Sequence, residues 1–238
     1  GEPRHTRMPF PSGLGNVLNN KRIVFKNKLS TTPYLQMPLF KTIQYTQETT
    51  LYVWHITETF SDLYEQVHLN TISTQRLNGM KSQLHQRAFL SVRKLLAEAG
   101  YTDFDLYYDT SGKPHLNDNK YISITHSHEF AAIIISNQTV GIDIELQREK
   151  ILRIADKFVD TAELSRLQSF STDDYIRKLT VKWGAKEAIF KICNEKGISF
   201  KSHIKVSPFE LDKKETTAIL DFEKKQQWFT ICFDEFDS

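Results

Sequence analysis

The chain has only two cysteines, Cys193 and Cys232, far apart in sequence and without metal-ligand spacing, which argues for free thiols in a reducing cytoplasm. No apolar run approaches the ~20 residues that span a bilayer. The longest strongly apolar stretch, Ala131 to Ile135, is of strand length, and the opening residues, GEPRHTRMPF, lack the apolar core of a secretory signal. A glycine-rich loop of the phosphate-cradling kind is missing. An excess of one charge is missing too, because 31 Lys and Arg face 29 Asp and Glu. That balance hides an asymmetry. Residues 1–46 carry seven basic side chains (Arg4, Arg7, Lys21, Arg22, Lys26, Lys28, Lys41) and one acidic, Glu2, so the remainder holds 31 − 7 = 24 basic and 29 − 1 = 28 acidic groups. The basic arm has no run of adjacent charges and no nucleic-acid motif, so neither nucleic acid nor a membrane is the expected partner.

What is present is ordinary for a globular chain with a substantial core: 39% apolar and 25% charged residues over 238 positions, enough for one large domain or two small ones. Residues 1–46 show no sustained period and read as loop. Thr50 to Ile56 (TLYVWHI) reads as a strand. Leu77 to Ala99 has Leu84, Ala88, Val92, Leu95 and Leu96 at helical spacing, with Gly100 at the capping position. Phe104 to Tyr108 is a short strand before the turn Ser111 to Pro114, and Tyr121 to Thr125 and Ala131 to Ser136 are two more. A second series follows: strand Val140 to Leu146, helix Thr161 to Phe170 with Asp160 or Thr161 as N-cap, long helix Thr172 to Asn194, then strands at Lys205 to Leu211, Thr217 to Phe222 and Trp228 to Phe233. Strands grouped around one long helix in each half predict an α+β fold. The expected division is an extension over 1–46, one half over 47–139 and another over 140–238, with a cleft between the halves as a ligand site.

Three segments carry chemistry. In GIDIE, Gly141 to Glu145, strand alternation puts Asp143 and Glu145 on one face and Ile142 and Ile144 on the other. Two adjacent carboxylates repel unless a cation joins them, and oxygen ligands suit Mg²⁺; a solvent-facing strand edge is the equal alternative. In WGAKEAIFK, Trp183, Glu187 and Lys191 recur every four residues along one helix face. They are either a packed tryptophan beside a surface ion pair, or a base that accepts a hydroxyl proton and an ammonium facing phosphate. In SGKPHL and ITHSHEF, Lys113, Thr125, His126 and Ser127 stand at strand ends where they can bind phosphate. Arg87 and Arg93 do not share a helix face, so at most one need point at a ligand.

In combination these segments resemble the 4′-phosphopantetheinyl transferase superfamily. GIDIE followed by WGAKEAIFK is similar to its paired signature, GKP and THS to its coenzyme A-binding segments, and FVDTAEL at Phe158 to Leu164 to a segment between the main motifs. Length favours the surfactin-synthetase-activating type over the shorter holo-acyl-carrier-protein synthase type. The resemblance implies a pseudo-twofold α+β monomer in the cytoplasm, transferring the 4′-phosphopantetheine arm of coenzyme A to a serine of an apo acyl or peptidyl carrier protein and releasing 3′,5′-ADP. It assigns Asp143, Glu145 and Glu187 to Mg²⁺, Glu187 as base, and Lys191 to the pyrophosphate. Lys113, Thr125, His126 and Arg93 fall to the nucleotide, with His126 near its 3′-phosphate. One departure is His128, where the family often has glycine. The alternatives are a coenzyme A-binding module without turnover and another Mg²⁺-dependent phosphoryl transferase. Residues 1–36 are expected to be dispensable for catalysis.

Overall fold

The structure is a computed structural model that describes residues 39–168 and 170–236, so the expectation for residues 1–36 lies outside the described residues. The chain is α+β. Strands β1 (Leu39–Thr46), β2 (Thr49–His55), β5 (Tyr121–Ser127) and β6 (Phe130–Ser136) form an antiparallel sheet in the order β1-β2-β6-β5. Residues 39–46, read from the sequence as loop, are thus an edge strand; LFKTIQYT alternates too weakly for its period to stand out, and pairing with β2 makes it a strand. The central strand β6 (FAAIIIS) is buried throughout because both faces of the sheet are covered. Ala131, Ile133 and Ile135 face a core built with Leu63, Leu77, Leu90, Leu95 and Leu96. Phe130, Ala132 and Ile134 face Val140, Ile142 and Ile144.

The helical side comprises α1 (Phe60–Glu65), α2 (Thr71–Gly79) and α3 (Gln83–Glu98). The single helix read over Leu77 to Ala99 is therefore two. Met80 after Gly79 is extended, and the Ser82 hydroxyl accepts the His85 N–H to start α3. Leu77 still packs in the same core as Leu95 and Leu96, so the apolar spacing crosses the break unchanged. At the other end Gly100 is left-handed (φ +83°) and the Tyr101 N–H returns to the Leu96 carbonyl, closing the helix as expected. Strands β3 (Leu106–Tyr108) and β4 (Pro114–Leu116) flank the turn that carries Lys113.

Beyond Gln138 come a 3₁₀ turn (Glu149–Arg153), α4 (Ala155–Phe158), α5 (Thr161–Leu167) and the long α6 (Thr172–Cys193), capped by left-handed Asn194. Strands β7 (Ile204–Val206), β8 (Glu215–Phe222) and β9 (Lys225–Cys232) form a second antiparallel sheet against α6. Its hairpin turns through Glu223 and Lys224, both at positive φ. Along its length α6 also buries three lysines four residues apart. Lys178 donates to the Phe209 carbonyl, Lys182 to that of Val206, and Lys186 to those of Phe158 and Phe200. Lys182 also pairs with Glu163 of α5. Buried ammoniums need such partners, and here they tie α6 to β7, to the end of α4 and to the segments at Phe200 and Phe209.

Candidate functional site

The segment Val140 to Leu146 was expected to be a strand, and it is not one in the ladder sense. It runs beside β5, but side chains replace the backbone partners: the Ile142 N–H donates to Ser123 Oγ (3.1 Å) and the Ile144 N–H to Thr125 Oγ1 (3.2 Å). The alternation itself is kept, with Ile142 and Ile144 packed against β6. Gly141 lets the segment approach α6 closely, since a Cβ there would lie 2.3 Å from the Ala188 carbonyl oxygen. That contact brings GIDIE and WGAKEAIFK together.

At the junction Asp143 Oδ1 accepts from Lys191 Nζ (2.8 Å) and Thr125 Oγ1 (3.3 Å). Lys191 also donates to the Ile142 carbonyl (2.9 Å), which pins the ammonium between the two motifs. Asp143 Oδ2 is buried and has no hydrogen-bond partner among the described residues. Glu145 Oε1 accepts the Trp183 indole N–H (2.9 Å), so Trp183, Glu187 and Lys191 do share the face of α6 that meets GIDIE. Burial, and next the Asp143 carboxylate, push the Glu145 carboxyl well above the usual range, against the Trp183 hydrogen bond. Glu187 is raised for the same two reasons, with Lys191 opposing. Two carboxyls of raised proton affinity, Glu145 and Glu187, beside the orphaned buried oxygen of Asp143, are an oxygen donor set short of positive charge. They are not a preformed cage: among the described residues no three His, Cys, Asp or Glu side chains converge as a ready metal site.

A cavity of about 470 Å³ opens on one side of this cluster. Its wall includes Lys113, His126, Lys191 and Arg93, together with Arg76 and Tyr108. Lys113 reaches the site end of α6, donating to the Ile192 carbonyl (2.6 Å). The exposed ring of His126 sits in this concave wall. Partial loss of solvent there lowers its pKa, followed by His85 and Lys191, while Asp143 pulls the other way. Two expected nucleotide contacts are placed differently. The buried Thr125 hydroxyl is spent on Asp143 and the Ile144 N–H. Arg93 is buried with its guanidinium on Asp103, Ser73 and the Phe89 carbonyl, so it shapes the wall through Phe89 rather than presenting a free charge. The cation that sequence reasoning missed is Arg76, stacked on the Tyr108 ring at 4.2 Å. It lies in the last turn of α2, and reading the Gly79–Ser82 interruption would have exposed it.

A second cavity of about 370 Å³ lies on the other side of the cluster, lined by Glu145, Trp183, Ser127, His128, Arg148 and Ile151 among others. His128 turns the β5–β6 hairpin at φ +51°. The left-handed backbone accounts for glycine suiting this position, and histidine adopts it at a cost on the order of 1 kcal/mol.

An α+β protein with an acidic cluster and a facing lysine between two cavities is the class these features define. Residues 139–236, which hold all four clustered charges, match the sequence model of the 4′-phosphopantetheinyl transferase superfamily. Over 120 residues the chain is 32% identical to the 4′-phosphopantetheinyl transferase gsp of Aneurinibacillus migulanus, an alignment covering 50% of this chain and 48% of that protein. The match therefore spans about half the length of that curated relative. The family resemblance drawn from the motifs is thereby shown over the segment that carries the site. Among the described residues no helix is long and apolar enough to cross a membrane.

Proposed function

We propose that this chain is a 4′-phosphopantetheinyl transferase that moves the phosphopantetheine arm of coenzyme A onto a serine of an apo acyl or peptidyl carrier protein and releases 3′,5′-ADP. The observation that carries the reading is the junction of Asp143, Glu145, Glu187 and Lys191 between two cavities, within a segment similar to that superfamily. The nucleotide of coenzyme A fits the cavity of Lys113, His126 and Arg76, with its 3′-phosphate toward Lys113 and His126. Its arm and the carrier serine approach through the cavity of Trp183 and His128.

Phosphoryl transfer asks a protein mainly for positioning and charge neutralisation. Lys191, already held by Asp143 and the Ile142 carbonyl, faces the pyrophosphate and stabilises charge that grows as the β-phosphate is transferred. Glu187, with its raised proton affinity, takes the serine hydroxyl proton as oxygen attacks phosphorus. The bond to the nucleotide breaks as the new phosphoester forms, and no covalent enzyme intermediate is needed. Asp143, Glu145 and Glu187 fit a hard divalent cation, because one Asp143 oxygen is orphaned and the single Lys191 ammonium faces three carboxyls, two of them of raised proton affinity. When bound, Mg²⁺ supplies charge neutralisation at the phosphates. The reading includes a pseudo-twofold, monomeric protein whose halves meet at the site, with residues 1–36 dispensable for catalysis.

The test is incubation with coenzyme A, Mg²⁺ and an apo carrier protein, followed by the mass of the carrier. Addition of one phosphopantetheine, abolished in a folded Asp143→Ala variant, is expected. An unmodified carrier alongside tight coenzyme A binding would make the chain a binding module instead.

A further inference from the structure

We propose that Glu235 is a positioning residue for the transfer site, acting through a clasp made by three consecutive residues, 234–236; this rests on the transferase reading above. Together the three tie the second sheet's exit strand to β1, β6 and α6. Asp234 accepts from Lys41 of β1 (2.6 Å) and from Lys214 (2.6 Å). Phe236 packs its ring against Phe40 of β1 and Phe130 of β6, at 5.0 and 4.9 Å between centroids. Between them, Glu235 takes two bonds from Arg177 of α6, Nε to Oε1 (2.9 Å) and Nη2 to Oε2 (2.7 Å). Its Oε1 also accepts from the Gln147 side-chain amide (2.8 Å). A forked guanidinium–carboxylate pair has one preferred geometry, so Gln147 is bound to an oxygen whose place α6 itself sets.

Gln147 lies two residues past Glu145, on a stretch with no strand ladder to hold it. The last backbone anchor before it is the Ile144 N–H on Thr125. Glu145 is therefore suspended between that anchor on one side and the Glu235–Gln147 bond on the other, with its carboxyl aimed at Trp183 of the same helix that carries Arg177. Removing the Glu235 carboxylate frees the far anchor and leaves α6 intact, since Arg177 keeps Asp174 at 2.9 Å. None of residues 145–148 lines the nucleotide cavity, so recognition of the nucleotide end of coenzyme A is untouched.

The test compares wild type with Glu235→Ala, Gln147→Ala and the double variant. A displacement of about 1 Å at a reacting group costs up to ~100-fold, so each single variant is expected to lose roughly tenfold in kcat, with KM for coenzyme A within about twofold. The double variant should lose no more than either single one, because both break the same bond. In parallel, hydrogen exchange on the folded proteins should show faster exchange at Ile144, the last bonded amide before Gln147, in Glu235→Ala, with β5 and β6 unchanged. Wild-type kcat in both single variants, additive losses, or a KM that rises as kcat falls would overturn the proposal. If wild type itself transfers nothing, the transferase reading fails and the exchange decides alone: unchanged protection at Ile144 overturns the clasp, and selective loss there supports it.

Discussion

Replacing Gly141 with alanine tests how the two motifs are held together. A Cβ at this position would lie 2.3 Å from the Ala188 carbonyl oxygen, and 3.0 Å from both the Ala188 carbonyl carbon and Ile192 Cγ1. The carbonyl belongs to the backbone of α6 and cannot rotate away, so segment and helix must separate by about 1 Å to reach an ordinary C···O contact. Overpacking of this kind costs about 1–3 kcal/mol. The backbone there is not left-handed, so alanine also restricts the unfolded chain, which returns about 0.4–1 kcal/mol. The expected net loss is about 1–2 kcal/mol in urea unfolding, small enough for the protein to stay folded. The effect on transfer should be larger, because the displacement falls between Asp143 and Lys191. A 1 Å error at reacting groups is worth up to ~100-fold, and carrier mass measured against time would show it. A variant as stable as wild type, or one destabilised as expected yet fully active, would refute the idea that close approach at Gly141 aligns the site.

Other substitutions probe the parts separately. Glu187→Gln should lower kcat by ~100-fold or more while coenzyme A affinity stays near wild type, as fits a proton acceptor, whereas Lys191→Ala should weaken both; titration calorimetry beside transfer kinetics separates the two patterns. His126 is held below its ordinary pKa in the free protein, so binding a phosphate beside it should draw in a proton, and coenzyme A affinity should fall as pH rises through the bound-state pKa. Dephospho-coenzyme A or His126→Ala should flatten that pH dependence in calorimetry. Lys186 is lowered by burial from 10.5 to about 8, so above pH 8 the unfolded chain binds the extra proton and stability should rise with pH until about 10. The shift is worth about 3 kcal/mol, and Lys186→Met should remove that rise; a pH-independent difference between the two proteins would count against it. His128→Gly relieves the left-handed strain of about 1–2 kcal/mol but costs about 0.5–1 kcal/mol in chain entropy, so a slight rise in melting temperature is expected without loss of the β5–β6 hairpin.

Much of the architecture was legible because local chemistry agreed with it. Long helix α6, read over Thr172 to Asn194, follows from local spacing and ends at Cys193, and the apolar run of β6 declares a strand. Residues 39–46 were missed because an edge strand with one half-covered face has little period of its own. The helix break at Gly79 was missed because Leu77 serves the same core as the helix after it. What the sequence determined by itself was the chemical inventory: two carboxylates on one side of an extended segment, an aromatic, a carboxylate and an ammonium on one helix face, and a lysine beside a turn. Those follow from the periods of strand and helix, which are local properties of the backbone. Only the tertiary structure decided that Thr125 and Ser123 hydroxyls, rather than a backbone ladder, hold GIDIE, and that Gly141 lets it touch α6. It also turned Arg93 into a buried partner of Asp103, made Arg76 the cation stacked over Tyr108, and tied Gln147 to Glu235 across 88 positions of sequence. A period shows which side chains share a face; what that face meets depends on how distant segments pack and on which buried polar groups still need partners.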